Sequence, residues 1–313
     1  MVAKVFIDGE AGTTGLKIRQ RLAGRTDLDV LTIPHELRKD LDARAELLNA
    51  ADVAILCLPD EAAKVSVSLI SNNTTRVIDA STAFRTAPGW TYGFAEMDAG
   101  QGAKIAGAKR VANPGCYPQG PIILVGPLIR AGLIPADMAI SVNALSGYSG
   151  GGRQMIEAYE AKGDGTAAFM PSFVPYGLDF NHKHLPEMKL HTGLINDPLF
   201  QPAVGNYAQG MMTMVPLNFA ADRHAPTGAD IHGVIGAHLA DIENSAVELM
   251  DMEPGRKLEG LNPEALNGTN KMQLYVFAND GRGQVLLVAV YDNLGKGASG
   301  AAVQNLDLML GKP

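Results

Sequence analysis

Cysteine, long apolar runs and positive charge are all scarce in this chain, and each shortage excludes a class of protein. Cys57 and Cys116 are the only cysteines among 313 residues, which is too few for a disulfide framework and indicates a reducing compartment. No run approaches about 18 apolar residues, so a transmembrane helix is not expected. The opening MVAKVFIDGE carries an acid where a signal peptide is still apolar, which favours a cytoplasmic protein.

The charge balance narrows the range of partners. Lysine and arginine together number 26 against 33 acidic residues, and the net charge of −7 argues against a nucleic-acid-binding surface. A hydrophobic fraction of 46% with 19% charged residues is typical of a folded chain rather than a disordered one. Single cores stop growing near roughly 250–300 residues, so the length predicts about two domains.

The first part of the chain alternates short apolar runs with helical patterns. The runs are rich in β-branched residues and predict strands at 5–7, 30–33, 53–56 and 77–78. Strands that alternate with helices pair in parallel through right-handed crossovers. We therefore expect an α/β domain with a Rossmann-like, doubly wound parallel sheet.

The later part of the chain has a different pattern. Apolar and polar residues alternate at 272–278 and 285–291, and the loop Asn-Asp-Gly-Arg-Gly at 279–283 predicts a hairpin between them. This predicts an α+β domain with a largely antiparallel sheet, whose bare face favours a homo-oligomer, dimer or tetramer. A helical stripe at 299–310 closes the chain and is expected to return to the first domain.

A glycine-rich turn, G-E-A-G-T-T-G, follows the first predicted strand and opens a helix. A pyrophosphate binds backbone N–H groups at a helix N-terminus, and side chains at the glycine positions would block its approach. The spacing is one residue longer than the common dinucleotide pattern, so a merely structural turn stays open as the alternative. The candidates for nucleotide contact here are Gly9, Ala11, Gly12, Thr13, Thr14 and Gly15.

The loop after the second predicted strand bears on the choice of cofactor. Arg38 and Lys39 lie about twenty residues beyond the glycines, where cations suit a 2′-phosphate and an acid suits a free ribose. They favour NADP over NAD, although Glu36 has the opposite charge and a solvated loop is the alternative. Further cofactor candidates in this region are His35, Leu58, Pro59 and Ser81.

The two thiols lie in different settings. Cys116 lies in N-P-G-C-Y-P-Q-G, directly before the apolar run 121–133, which opens with the proline favoured in a first helical turn. The dipole of a helix N-terminus stabilises a thiolate, so Cys116 is predicted to be a nucleophile, with a structural thiol as the alternative. Cys57 lies in an apolar strand end and is predicted to be a core thiol.

His182 and His184 are candidates for proton transfer. One of them could accept the thiol proton of Cys116 and return it to a developing alkoxide, and Lys183 adds positive charge. A metal site formed by both histidines with Cys116 or Glu187 is an alternative, as are ordinary surface histidines. No second cysteine or further ligand pair lies nearby in the sequence, so no metal is expected.

Six motifs occur in the order of a known family. They are GEAGTTG at the start, VIDASTAFR (77–85), NPGCYPQG around the thiol, LSGYSGGGR (145–153), HKHLPEM (182–188) and DNLGKGASGAAVQNLDLML at the end. On these motifs the chain resembles the N-acetyl-γ-glutamyl-phosphate reductases, in their shorter form, within the wider group that includes aspartate-semialdehyde dehydrogenases.

The resemblance implies an activity and roles for single residues. An N-acetylglutamyl 5-phosphate would be reduced with NADPH to the semialdehyde, with release of phosphate, in arginine biosynthesis. Cys116 would be the nucleophile and His182 or His184 the acid/base, while Asn293 and Lys296 would lie near the cofactor. A solvated lysine in a turn is the alternative for Lys296. The implied domains are a cofactor domain, 1–115 plus 293–313, and a catalytic and oligomerisation domain, 116–292.

An anionic substrate calls for bidentate cations. Arg85 is the candidate for the departing phosphate and Arg153 for a carboxylate or phosphate, although each could be a structural arginine. The substrate-binding candidates together are Arg85, Ser146, Gly147, Arg153 and Glu187. Two other functions stay open. They are reduction of a related acyl phosphate, aspartyl or aminoadipyl, and a non-catalytic NADP(H)-binding redox sensor in which Cys116 is the switch.

Overall fold

The computed structural model describes residues 2–161, 171–219, 225–252 and 260–312. The chain divides into two compact units. Unit 1 comprises Met1–Ala95, Gly100–Gly115 and Ala298–Pro313, and unit 2 comprises Glu96–Ala99 and Cys116–Gly297. In the described ranges, no helix is both long enough and apolar enough to cross a membrane.

Unit 1 is built on a parallel sheet. Its strands are β1 (Ala3–Asp8), β2 (Leu28–Leu31), β3 (Val53–Leu56), β4 (Arg76–Asp79), β5 (Thr91–Tyr92) and β6 (Arg110–Ala112). They lie in the order β2-β1-β3-β4-β6-β5, and each described pairing is parallel. β3 is buried along its whole length, as expected for a strand covered on both faces. The predicted Rossmann-like sheet is confirmed.

Four helices of unit 1 lie between its strands in the sequence. They are α1 (Thr13–Leu22), α2 (Leu41–Ala50), α3 (Asp60–Leu69) and α4 (Gln101–Gly107). The Asp40 side chain accepts a hydrogen bond from the Ala43 N–H, at 2.8 Å, and so caps α2. α1 ends at its C-cap, Ala23, which is extended, and the chain then makes a tight turn in which Gly24 has a φ of +81°, a value that suits glycine.

The second strand begins earlier than the predicted range of 30–33. β2 pairs with β1 in a register that sets Leu28 opposite Ala3 and Leu31 opposite Phe6. The chain then leaves the sheet toward Pro34, which has no N–H to donate to a ladder. β2 therefore ends at Leu31, two residues before the predicted end at residue 33.

Unit 2 is built on a mixed sheet that is mostly antiparallel. Its strands are β7 (Ser141–Gly147), β8 (Phe173–Pro175), β9 (Leu199–Gly205), β10 (Met211–Asn218), β11 (Val247–Leu249), β12 (Met272–Asn279) and β13 (Gln284–Tyr291). They lie in the order β11-β12-β13-β10-β7-β9-β8. The pairs β7–β9 and β11–β12 are parallel, and the other described pairs are antiparallel. The predicted α+β architecture is confirmed, including the hairpin of β12 and β13.

The described helices of unit 2 include one that is almost wholly buried. They are α5 (Gln119–Arg130), α6 (Gly152–Glu160), α7 (Leu185–Thr192) and α8 (Gly228–Ala240). α5 contacts α7, α8, β10 and β13, which explains why its sequence is apolar on every side. A Cβ on Gly120 would lie 1.8 Å from the Thr213 Oγ1, so only glycine lets the first turn of α5 rest on the sheet.

The last helix, α9 (Gly300–Met309), packs in unit 1. Ala302, Leu306 and Met309 share one buried cluster with residues of β1, β3, β4 and α1. α9 therefore covers one face of the parallel sheet, although it is separated from the rest of unit 1 by all of residues 116–297.

Candidate active site

Cys116 lies just before the N-terminus of α5, two positions ahead of the Pro118 N-cap, and is partly buried. Its carbonyl oxygen accepts a hydrogen bond from the Tyr291 hydroxyl at 2.7 Å. Gly297 packs so closely against the same residue that a Cβ at position 297 would lie 3.0 Å from the Cys116 Cβ. The thiol residue is thus held at a helix N-terminus, where the helix dipole stabilises a thiolate.

Two tyrosines lie beside this thiol. The Tyr176 hydroxyl donates to the Tyr117 hydroxyl at 3.2 Å. Burial raises the pKa of Tyr176 to about 12 and that of Tyr117 well above its usual value, and the charge of Cys116 raises both further. Both are therefore neutral phenols at pH 7. Sequence reasoning missed them, and the position of Tyr117 directly after the thiol was the available signal.

The two histidines of the H-x-H motif join this aromatic cluster. Tyr117 lies 6.0 Å, centroid to centroid, from each histidine ring, and the rings of His182 and His184 are 4.8 Å apart. Phe200 closes the cluster at 5.0 Å from the His182 ring. In the part of the chain that the structure describes, no group of three or more His, Cys, Asp or Glu residues could hold a metal ion.

The protonation state of His182 follows from its surroundings. The main-chain N–H of His184 donates to Nδ1 of His182 at 3.2 Å, so the proton of the neutral ring is on Nε2. Burial, with the charge of Lys183, lowers the pKa of His182 to about 4, against opposing effects of Glu187 and Asp179. At pH 7 the ring is neutral and can donate a hydrogen bond from Nε2. This arrangement suits a hydrogen-bond donor better than the proton acceptor expected from the sequence.

Two of the substrate candidates are buried beside the same cluster. Ser146 is 1% exposed and hydrogen-bonds the Tyr117 hydroxyl. Glu187, in the first turn of α7, is 2% exposed. Its charge opposes the lowering of the His182 pKa and adds to the raising of the Tyr291 pKa. The structure therefore brings these two side chains together with the histidines and the residues that contact Cys116.

The other three substrate candidates lie in different settings. At Gly147 a Cβ would lie 2.7 Å from the Ala208 carbonyl group, so glycine is required there by packing. Arg153 is exposed on α6. Arg85 is buried in unit 1, where its guanidinium donates to two main-chain carbonyls at 3.0 Å, as a structural arginine does. Phosphate binding by Arg85 stays a prediction.

Asn293 and Lys296 are held inside unit 2. The Asn293 side chain accepts from the Gly210 N–H at 2.8 Å and donates to the Ser149 hydroxyl at 3.0 Å. Lys296 is 0% exposed, and its ammonium lies 2.7 Å from a carboxylate oxygen of Glu96, which is equally buried. Lys296 is therefore not a solvated lysine. Because these internal bonds occupy both side chains, they disfavour direct contact with a cofactor. Cofactor contacts by Asn293 and Lys296 stay predictions.

The glycine-rich turn of unit 1 is tight at both ends and open in the middle. A Cβ on Gly9, whose φ is +89°, would lie 2.4 Å from the Cys57 carbonyl oxygen, and one on Gly15 would lie 2.6 Å from the Gly9 carbonyl oxygen. Gly12 is the N-cap of α1, no side chain caps it, and a Cβ there would have no neighbour nearer than 3.5 Å. Ala11, Thr13 and Thr14 lie on the same turn. The N-terminus of α1 is thus accessible to an anion, which fits a pyrophosphate.

The cations expected at a 2′-phosphate have a partner in this turn. Glu10 is buried and pairs with Arg19 and with Arg38, whose Nη2 lies 3.0 Å from a Glu10 oxygen. The Nε of Arg38 is buried and has no hydrogen-bond partner among the described residues. The charge of Glu10 is balanced by these two arginine partners, so this Nε–H of Arg38 can donate to a phosphate oxygen. His35 and Lys39 are exposed in the same loop.

The remaining cofactor candidates lie at the carboxyl ends of β3 and β4. The Ser81 hydroxyl donates to Asp79 at 2.6 Å and accepts from the Ala83 N–H at 3.2 Å, so structural bonds occupy it. Burial raises the pKa of Asp79 to about 6, although the Ser81 hydrogen bonds oppose the shift. Leu58 is half-buried and Pro59 is the N-cap of α3.

Asp79→Asn should flatten the pH dependence of stability. Because the pKa of Asp79 is raised, the folded protein keeps this proton at pH values where the unfolded chain has lost it, so the carboxyl destabilises the fold increasingly between about pH 4 and pH 6. Relative to the parent protein, the variant should gain up to about 3 kcal/mol in free energy of unfolding on going from pH 4 to pH 7.5. Urea unfolding at both pH values measures the difference.

Asp29→Asn is the matched control, because Asp29 is an exposed carboxylate in the same unit. Its stability should follow that of the parent protein at both pH values. If Asp79→Asn also follows the parent protein, Asp79 is ionised in the folded state over the whole range, and the assignment of a raised pKa fails.

The second thiol differs from Cys116 in its chemistry. Burial, together with the charges of Asp79 and Asp8, raises the pKa of Cys57 to about 12. Cys57 packs against the apolar cluster of unit 1 and is a neutral thiol at pH 7. A thiol in this state is a poor nucleophile.

Two family models match the chain. The semialdehyde dehydrogenase dimerisation domain covers residues 116–293, more than half of the chain, and the semialdehyde dehydrogenase NAD binding domain covers residues 32–105. The first match begins at the thiol residue itself. The second begins after the glycine-rich turn, so nucleotide binding at that turn is supported by its geometry and not by this match.

Named reductases are similar to this chain in sequence over almost their whole length. The N-acetyl-gamma-glutamyl-phosphate reductase of Chelativorans sp. (strain BNC1) is 62% identical over 310 residues, 99% of each chain. That of Mesorhizobium japonicum is 60% identical over 311 residues, 99% of this chain and 100% of its own.

The similar solved structures are more distant in sequence. Aspartate semialdehyde dehydrogenase II of Vibrio cholerae, complexed with ASA, has a TM-score of 0.69 at 16% identity and covers 99% of this chain and 98% of its own. The Candida albicans aspartate semialdehyde dehydrogenase with NADP has a TM-score of 0.64 at 15% identity, with 99% of both chains covered. At such identities the likeness shows the fold alone. On the full-length relatives and the two family models together, the chain belongs to the N-acetyl-γ-glutamyl-phosphate reductase family, within the semialdehyde dehydrogenases.

Proposed function

We propose that this chain is the NADPH-dependent reductase that converts N-acetyl-γ-glutamyl phosphate to N-acetylglutamate 5-semialdehyde and phosphate, in arginine biosynthesis. The observation that carries the proposal is the identity of 62% and 60% to two reductases of that name over almost the whole of each chain. The partly buried Cys116 at the N-terminus of α5 supplies the nucleophile that this reaction needs.

Cys116 carries out the first covalent step. Its thiolate attacks the acyl carbon, a C–S bond forms, and the bond from carbon to the phosphate oxygen breaks with its electron pair leaving on phosphate. The thioester that remains on Cys116 accepts hydride far more readily than a carboxylate would. Reduced nicotinamide, when bound, supplies that hydride.

His182 stabilises the negative charge that develops on the acyl oxygen during reduction. Its Nδ1 already accepts the His184 N–H, so Nε2–H is the donor left for the reacting group. With a pKa of about 4, the ring stays a neutral donor across the neutral pH range. The C–S bond then breaks, the thiolate is restored and the aldehyde leaves. His184, which is buried in the same cluster, is the second candidate for this role.

Unit 1 carries the residues that would hold NADP(H). The open N-terminus of α1 would bind the pyrophosphate through backbone N–H groups, and Arg38 would bind the 2′-phosphate with Lys39 nearby. Glu10 orients Arg38 and offsets part of its charge, so the guanidinium has a fixed position before the phosphate arrives.

Arg38→Ala should raise KM for NADPH about tenfold or more and leave KM for NADH within about twofold. The variant loses one charge-assisted hydrogen bond to a group that only NADP carries, worth roughly 1.5–3 kcal/mol. Initial rates with each cofactor measure the effect, and calorimetric titration with NADP+ and NAD+ separates binding from turnover. Lys17→Ala, which removes a cation from α1, should change neither the KM for NADPH nor the KM for NADH. Equal losses for both cofactors would make Arg38 an ordinary loop cation.

The substrate is tested most directly in the reverse reaction. The purified enzyme is given NADP+, phosphate and one semialdehyde at a time: N-acetylglutamate 5-semialdehyde, aspartate semialdehyde or aminoadipate semialdehyde. The proposal expects phosphate-dependent NADPH formation with the first, at a kcat/KM at least about a hundredfold above the others. A preference for either of the others would reassign the substrate and leave the thiol chemistry intact.

We also propose that the chain works as a homo-oligomer, dimer or tetramer, in the cytoplasm. The match of residues 116–293 to a dimerisation domain supports assembly. Phe277 and Leu286 lie opposite each other on β12 and β13 and are each 37% exposed, which leaves apolar surface for a partner. The cytoplasm keeps thiols reduced, and Cys57 and Cys116 are both free thiols.

A further inference from the structure

The end of β13 reaches back to the thiol residue. Tyr291 is 0% exposed, and its hydroxyl donates to the Cys116 carbonyl oxygen at 2.7 Å. The same phenol oxygen accepts the main-chain N–H of Gly120, in the first turn of α5. One side chain thus fixes both the thiol residue and the start of the helix that follows it.

The turn after β13 contacts Cys116 a second time. A Cβ on Gly297 would lie 3.0 Å from the Cys116 Cβ and 3.4 Å from its Cα. The turn is closed by the Gly297 N–H, which donates to the Asp292 carbonyl at 2.8 Å, and by the Leu294 N–H, which donates to the Asp292 carboxylate at 2.9 Å. Cys116 is therefore held between Tyr291 and Gly297, at the two ends of one short segment.

We propose that Tyr291 is a positioning residue that sets the direction of the Cys116 thiol for attack. The proposal rests on the proposed role of Cys116 as the nucleophile. A hydrogen bond to the carbonyl oxygen restricts rotation of the peptide group after Cys116, and Gly297 restricts movement of its Cβ. A misplacement of about 1 Å at a reacting atom can lower a rate a hundredfold.

The hydroxyl of Tyr291 acts on position rather than on thiol ionisation. Burial raises the pKa of Tyr291, and the charge of Cys116 raises it further, so the phenol is neutral at working pH. Its proton is already donated to the Cys116 carbonyl oxygen. Removal of the hydroxyl should therefore disturb the geometry of the thiol and leave its pH-dependent reactivity toward small reagents unchanged.

Tyr291→Phe tests this prediction. We expect kcat to fall about tenfold or more while KM for the acyl phosphate stays within about twofold. The rate of Cys116 alkylation by iodoacetamide, measured across pH, should superimpose on that of the parent protein, because a small reagent approaches the sulfur from many directions. A merely structural role would lower the amount of folded enzyme and would not separate kcat from alkylation in this way.

Tyr207→Phe is the matched control. The Tyr207 hydroxyl is buried and has no hydrogen-bond partner among the described residues, so kcat and alkylation should both be unchanged. Gly297→Ala is the second variant, in case Tyr291→Phe folds poorly. Its new Cβ presses on Cys116 from the other end of the segment, and kcat should fall with the alkylation profile unchanged.

Two results would overturn the proposal. One is an unchanged kcat in Tyr291→Phe, and the other is an alkylation profile displaced to higher pH together with the loss of kcat, which would mean that Tyr291 governs ionisation. Failure of the proposed function is a separate result, because it would be seen as turnover by Cys116→Ser. The alkylation comparison needs no turnover.

Discussion

Cys116→Ser should lower kcat by at least about ten-thousand-fold, the scale of loss seen when a catalytic nucleophile is removed. A serine hydroxyl is hardly ionised at neutral pH. His182, whose ring lies in the cluster with Tyr117, offers no free acceptor to activate it, because its Nδ1 is engaged and its Nε2 carries the proton. NADPH oxidation and phosphate release, followed together with the acyl phosphate as substrate, measure the loss. Binding of NADP+ should be unchanged.

Cys57→Ser makes the same atomic exchange at the inert thiol. Because the pKa of Cys57 is raised to about 12, this residue takes no part in the chemistry, and kcat should stay within about twofold. Retained turnover in Cys116→Ser would favour the redox-sensor alternative, in which the thiol is a switch. Alkylation that inactivates the parent enzyme and is slowed by substrate would support the nucleophile.

The second large effect concerns the ion pair of Lys296 with Glu96. Lys296→Met should lower the free energy of unfolding by about 3–5 kcal/mol, because it leaves the Glu96 carboxylate buried without its cation. The Glu96 carboxylate also accepts the Ala246 N–H at 3.1 Å, so it cannot move out to water without breaking that bond. The main-chain carbonyl of Glu96 bonds the ring of His238 at 3.0 Å, which holds the backbone in place. Urea unfolding monitored by circular dichroism measures the change.

A double variant and a surface variant serve as controls. Adding Glu96→Gln to Lys296→Met should restore a large part of the stability, since the amide oxygen can still accept the Ala246 N–H and no charge stays buried. Lys64→Met removes an exposed lysine that pairs with Glu61 on α3, and it should leave the free energy of unfolding almost unchanged, because water screens that pair. If Lys296→Met is as mild as Lys64→Met, the side chain of Glu96 is reached by water.

Local signals in the sequence predict a large part of this molecule. The glycine turn before α1, the proline-led start of α5 and the hairpin of β12 and β13 each depend on residues close together in the chain. Each is determined by a local preference: glycine adopts positive φ, proline suits a first helical turn, and alternating apolar and polar residues form half-buried strands. The sequence therefore predicts the fold class and the thiol next to a helix N-terminus.

Contacts between distant residues are beyond such signals. Lys296 and Glu96 are separated by 200 positions, and Tyr291 and Cys116 by 175, so no local pattern joins them. A lysine in a glycine-rich turn is usually solvated, and only its buried partner makes this one structural. The same holds for His182, whose proton position depends on a bond that the sequence does not show.

The last helix has a consequence for how the protein is made. Val5 and Ile7 of β1 and Ile18 of α1 share their cluster with Ala302 and Leu306 of α9. At a translation rate of roughly 5–20 residues per second, the ribosome delivers α9 roughly 15–60 seconds after β1. Throughout that interval the nascent chain carries an uncovered apolar face. We expect it to bind chaperones then, and we expect truncation before α9 to harm the unit made first more than the unit made second.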